Sequence, residues 1–130
     1  MVQRWLRKAE NDLKAIEYLL PLTDVPTDIL CFHCQQAVEK YLKAYLTWMD
    51  VRIKKTHDIA NILNLCIEKD KDFEELDRIK ISQLTLYAVE IRYPVENPEP
   101  TIEDAKKLCN ITKRVKTFII EKLNKEGISL

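Results

Sequence analysis

A chain of 130 residues, 46% hydrophobic and 32% charged, is long enough for one compact domain, read here as 1–130, and too short for two. Its 21 basic and 21 acidic side chains cancel to a formal charge of +0, so no overall field draws it to nucleic acid or to an anionic membrane, and any such contact must come from a local patch. A lone glycine, Gly127, against five prolines at 21, 26, 94, 98 and 100, excludes glycine-rich phosphate loops, Rossmann folds and rows of hairpins.

Met1 to Lys8 holds Arg4, Arg7 and Lys8 without an apolar run and cleavage site after them, and no stretch approaches the roughly 20 apolar residues of a membrane span. The expected location is the cytoplasm. Four cysteines, at 31, 34, 66 and 109, sit inside apolar helical patterns rather than between turns, which suits reduced thiols and predicts no disulfides.

In chain order, Trp5, Leu6, Ala9, Leu13, Ile16 and Leu20 recur at helical steps and predict a first helix from Gln3 to Leu20, closed by Pro21. Thr27 or Asp28 can cap a second helix running to about Met49, whose apolar residues cover more than one face. Phe32, Tyr41, Tyr45, Trp48 and Met49 exceed one inward stripe, and a chain this short should not surround a helix fully, so part of that surface is expected to meet a second copy in a homodimer. After the basic connection Arg52 to Lys55, Thr56 can cap a short helix from His57 to about Glu68, and Asp70, Lys71 and Asp72 mark a turn.

A fourth helix is predicted from about Phe73 to Arg92, with Leu76, Ile79, Leu84, Tyr87, Ala88 and Ile91 inward, ended by the bias that Pro94 places on Tyr93. Thr101 with Asp104 forms the pattern of a capping box and opens a last helix with Ile102, Ala105, Leu108, Cys109, Val115, Phe118, Ile119 and Leu123 inward, released at Gly127. The sum is an all-α protein, an antiparallel up-and-down bundle of four long helices plus one short one.

Little in this pattern suggests a metal centre or a cofactor, and none is expected. Cys31 and Cys34 have no second pair at zinc spacing and lie within a helix rather than a knuckle. His33, in a crowded helix, suits hydrogen-bonded packing better than a base or ligand role, and His57, between a cap candidate and Asp58, suits fixing the loop.

The run from Phe32 to Leu46, with Cys34-Gln35-Gln36-Ala37, Glu39-Lys40 and Leu42-Lys43-Ala44, resembles the second helix of the HEPN family. Trp5 with Ala9, Asp12 and Leu13, then Lys55-Thr56-His57-Asp58-Ile59, then Arg92-Tyr93-Pro94, follow in the family's order, so the resemblance covers nearly the whole chain. It implies a helical bundle that dimerises, belongs to toxin–antitoxin and defence modules, and pairs with a minimal nucleotidyltransferase. Many members are metal-independent endoribonucleases whose motif is an arginine, four to six intervening residues, then a histidine. The arginine holds a phosphate by bidentate hydrogen bonds and the histidine moves a proton at the ribose 2′-hydroxyl or the leaving oxygen.

Carried over, the arginine is Arg92, but after four intervening residues stands Asn97, followed by Pro98 and Glu99. The histidine is absent, and asparagine binds a nucleotide without titrating near neutral pH. Glu99 also occupies the place of a tyrosine that some toxin members carry for adenylylation by their partner. The resemblance makes Arg92 an anion clamp and Asn97 a secondary contact, with Gln36, Glu39 and Lys40 lining a polar cleft and Tyr93, Tyr87 and the Arg52 to Lys55 run available for stacking and neutralising RNA. Arg92 equally suits a cation on the last carbonyls of its helix, and Gln36, Glu39 and Lys40 a solvated face with local ion pairs. Three functions remain open: a nucleotide- or RNA-binding module beside a nucleotidyltransferase, a ribonuclease drawing its acid and base from His33 or His57, and a structural domain for dimerisation and docking.

Overall fold

The computed structural model describes residues 1–53, 55–79, 81 and 100–128. Among them all regular structure is helical: α1 Val2–Leu19, α2 Thr27–Trp48, α3 Ile59–Lys69, a 3-10 turn Lys71–Phe73, α4 Glu74–Arg78 and α5 Ile102–Lys125. No helix among the described residues is long and apolar enough to cross a membrane.

Helix α2 is the hub, packed against α1, α3 and α5. Twelve of its residues are buried, including Leu30, Val38, Tyr41, Leu42, Tyr45 and Leu46. Surrounding a helix on several sides requires apolar residues around much of its circumference, which is why its sequence lacks a single stripe. The chain thus supplies more cover than its length suggested. Tyr41 and Tyr45, expected in part to face a second copy, are each 1% exposed within this one: Tyr41 donates to Glu10 Oε2 at 2.9 Å, and Tyr45 packs on Phe73 with ring centroids 4.5 Å apart. Trp48, at 41% exposed, and the half-buried Phe32 and Met49 are what remains outside that cover.

Helix ends explain most boundary differences. Neither Thr27 nor Asp28 caps α2; the extended Pro26 does, its carbonyl accepting from Leu30 N–H at 3.1 Å, and Asp28 instead places its charge in the positive first turn. At α3 the cap is Asp58, whose side chain accepts from Ala60 N–H, while Thr56 accepts from Asp58 N–H. The charged Asp58 thereby starts the helix two residues after the predicted cap and leaves His57 in the connection before it.

The predicted fourth helix starts as Glu74–Arg78 and turns at Ile79, so it does not run unbroken from Phe73; its expected inward residues Leu84, Tyr87, Ala88 and Ile91 lie outside the described residues. The Thr101–Asp104 capping box opens α5 as expected. Ile102 is 39% exposed rather than inward, because it occupies the first position of that helix, before the apolar face meets α2, and Thr112 lies in the buried face instead with its hydroxyl on Leu108 O at 2.8 Å.

Helices α2 and α5 end in the same geometry. Asp50 takes φ 55 with Asp50 N–H on Thr47 O and Val51 N–H on Leu46 O; Gly127 takes φ 91 with Gly127 N–H on Asn124 O and Ile128 N–H on Leu123 O. Both are Schellman closures, one using the chain's sole glycine and the other an aspartate, among the residues that tolerate the left-handed region best.

Candidate functional site: the polar face of the central helix

Where α2 passes between α1 and α3, its core face turns polar. Gln35, Glu39 and Lys43 follow at four-residue steps along one row, and His33, Gln36 and Lys40 along the adjoining row, so these six side chains form two lines on one side of the helix.

 Each row is held by a carboxylate. Asp12 of α1 accepts from Lys40 Nζ at 2.6 Å through one oxygen, and its other oxygen lies 2.9 Å from His33 Nδ1. Glu39, only 3% exposed, is bound more fully: Lys43 Nζ lies 2.7 Å and His57 Nδ1 2.9 Å from Oε1, and Gln35 Nε2 donates to Oε2 at 2.9 Å. Gln36 Nε2 donates to Gln35 Oε1 at 2.7 Å and joins the two rows, while Gln35 Nε2 also reaches His57 O at 3.4 Å. Lys43 stands 5.5 Å from the ring centroid of Trp5, a cation over an indole face.

A buried carboxylate is tolerable only when its lone pairs are satisfied, and here an ammonium, an imidazole and an amide do so. No buried side-chain nitrogen or oxygen among the described residues lacks a partner. The chemistry this leaves available sits on the imidazoles. With Nδ1 of each ring beside a carboxylate, Nε2 is the nitrogen left over for a ligand or a proton, and His57, whose side chain is 58% exposed, presents it to solvent more openly than His33 at 26%. No group of three or more histidine, cysteine or acidic side chains among the described residues could hold a metal ion.

The family model for the HEPN domain matches this chain over residues 2–123. The chain belongs to the HEPN domain family. The crystal structure of an archaeal HEPN homologue shares the fold with a TM-score of 0.72 and 23% sequence identity, covering 95% of this chain and 98% of that one. No curated protein matches the sequence.

On this HEPN chain, three of the residues singled out from sequence come together: Gln36, Glu39 and Lys40 share one side of α2, with Glu39 and Lys40 engaged in ion pairs within the chain. Arg92, Tyr93 and Asn97 lie outside the described residues, as does Tyr87. Sequence reasoning assigned no role to Asp12, Gln35 or Lys43. A signal for two of them was present: Asp12 interrupts the stripe Ala9, Leu13, Ile16, and Gln35 falls among Cys31, Val38 and Leu42, so each places a polar group where the helical period demands an apolar one. His33 is hydrogen-bonded packing against Asp12, and His57 ties its connection back onto α2, which is the role expected of each.

Proposed function

We propose that residues 1–130 act as one HEPN-type nucleotide- or RNA-binding module, working in the cytoplasm as a homodimer beside a minimal nucleotidyltransferase in a toxin–antitoxin-like pair. The observation that carries this reading is family membership over residues 2–123 in a chain that keeps Arg92 but has Asn97 where the family's motif has histidine. Arg92 is the anion clamp, forking onto a phosphate, and Asn97 with Tyr93 adds neutral contacts. Gln36 and Lys40 border the ligand, and Glu39 holds the helix face in shape from behind.

Without an imidazole at position 97 this arrangement binds and does not transfer protons. Titration with ATP, GTP and a short single-stranded RNA, followed by chemical shifts or calorimetry, should give saturable binding that Arg92→Ala weakens by at least tenfold. Absence of binding to all three, with Arg92→Ala indistinguishable from wild type beside its partner, would overturn the reading. Light scattering at micromolar concentration should give the mass of two chains.

A second reading has its own observation. His33 and His57 each lie against a carboxylate that can orient the ring, the positioning a general base requires. In this reading the protein is a metal-independent ribonuclease, and RNA incubated with it in EDTA is cleaved by wild type but not by His57→Ala or His33→Ala.

A further inference from the structure

On the opposite side of α2 from its polar rows, two thiols meet. Cys34 Sγ–H donates to Cys109 Sγ of α5 at 3.5 Å, joining positions 75 apart in sequence, and the two cysteines are 0% and 3% exposed. All four cysteines are free. What separates Cys109 from an ordinary core thiol is its place. It lines a cavity of about 310 Å³ between α1 and α5, whose walls include Leu13, Leu20, Lys113 and Thr117, whereas Cys34 sits behind it in the core. A small uncharged oxidant entering that cavity meets Cys109 first.

We propose that Cys109 and Cys34 form a peroxide-responsive dithiol in which Cys109 is the attacking sulfur and Cys34 the resolving one. The chemical environment divides the two roles in the same sense. The proton that Cys34 donates holds down the titration of Cys109 against the opposing effect of burial, and Lys113, one turn further along α5, adds to the lowering. Cys34, as the donor of that bond and deeply buried, is raised. The sulfur nearer the cavity is therefore the better thiolate.

The reaction closes with hydrogen peroxide as sole oxidant. Cys109 loses its proton to solvent, and its thiolate attacks one peroxide oxygen. The O–O bond breaks, Cys109 becomes a sulfenic acid, and the departing hydroxide takes up a proton to give water. Cys34 then loses its proton and attacks the Cys109 sulfur. The S–O bond breaks, a second water leaves, and an S–S bond links α2 to α5. Two thiols and one peroxide become one disulfide and two waters. The 3.5 Å separation means that the second step requires the sulfurs to close by roughly 1.5 Å to reach a bond of about 2.05 Å.

The test is stoichiometric hydrogen peroxide added to the folded, reduced protein, followed by intact-mass measurement and peptide mapping. The expected product has lost two hydrogens, carries one Cys34–Cys109 link and unfolds several degrees higher than the reduced form, because the bond closes a long loop. Cys31→Ser should behave as wild type. In Cys34→Ser, dimedone should label Cys109 as a trapped sulfenic acid, and in Cys109→Ser it should leave Cys34 unlabelled, circular dichroism confirming that both variants are helical. Should either serine variant fail to fold, Cys34→Ala or Cys109→Ala takes its place in the same dimedone test, and the map of the wild-type product decides the link itself. Thiols that all remain alkylatable after peroxide, a link through Cys31, or dimedone on Cys34 in place of Cys109 would each overturn the assignment.

Discussion

The two sides of α2 solve the same packing problem with opposite chemistry. Toward α5 the seam is thiol and hydrocarbon, with Cys31, Cys34, Cys109 and Val115 buried and few hydrogen bonds to align. Toward α1 and α3 it is ionic, with Asp12 and Glu39 drawing in Lys40, Lys43 and both histidines. Dispersion tolerates small shifts and loses energy in proportion to missing atoms, whereas a buried charge depends on every donor being in place. The ionic seam is thus the costlier one to break and the better one at fixing the register of α2 against its neighbours.

Removing the carboxylate of Glu39 is the most severe way to break that contrast. Glu39→Ala strands the Lys43 ammonium and the Gln35 amide in a nearly closed site and should cost about 3 kcal/mol in urea unfolding. Glu39→Gln, which keeps the shape and one acceptor, should cost distinctly less. Equal losses for the two would mean that packing rather than charge governs this seam.

On the thiol side, Cys34→Ala removes one buried sulfur and should cost about 1–2 kcal/mol. Because Cys109 is its direct neighbour, the Cys34→Ala and Cys109→Ala losses should not add; denaturant midpoints of the double variant give the coupling. A smaller effect measures the polar rows again: a double-mutant cycle of Asp12→Asn and Lys40→Met should return a coupling of about 1 kcal/mol. A cycle near zero would place the strength of that side in Glu39 alone.

The smallest expected effect lies outside both seams and calibrates them. Lys122 of α5 lies 2.7 Å from Asp70 and also contacts Asp72, clipping the end of α3 to α5. Partial burial works against the Asp70 charge, but the Lys122 hydrogen bond and the Asp72 N–H outweigh it and lower the carboxyl below 3.8. Partial burial likewise opposes the Lys122 charge, and the two aspartates outweigh it and raise the ammonium above 10.5. A lowered carboxyl stabilises the fold above its unfolded value and loses that contribution as pH falls through the folded one; a raised ammonium stabilises below its unfolded value and loses it as pH rises through the folded one. Lys122→Met should therefore cost a few tenths of a kcal/mol near neutral pH and flatten the fall in stability at both extremes.

Much of the fold was legible because helical periods survive in sequence. The stripes of α1 and α5, the stop at Pro21, the Thr101–Asp104 box and the release at Gly127 are all local, and each is where the pattern put it to within a residue or two. The candidate site was legible in its members on α2, since Gln36, Glu39 and Lys40 share a face by spacing alone. It was not legible in its partners. That Asp12 would meet both His33 and Lys40 depends on the antiparallel register of α1 against α2, and that His57 would reach Glu39 depends on Asp58 starting α3 late.

By itself the sequence determined the helical class, the absence of a glycine-built phosphate loop, and the family likeness carried by short motifs in order, because composition and period act over a few residues at a time. Only the tertiary structure decided that Tyr41 and Tyr45 would be covered within one chain, that Cys34 would find Cys109 across 75 positions, and that two carboxylates, one on α1 and one on α2, would collect two lysines and two histidines from α2 and the connection before α3. Those outcomes depend on which faces of distant helices meet, and the free energy that selects them comes from burying all the faces together, not from any one segment.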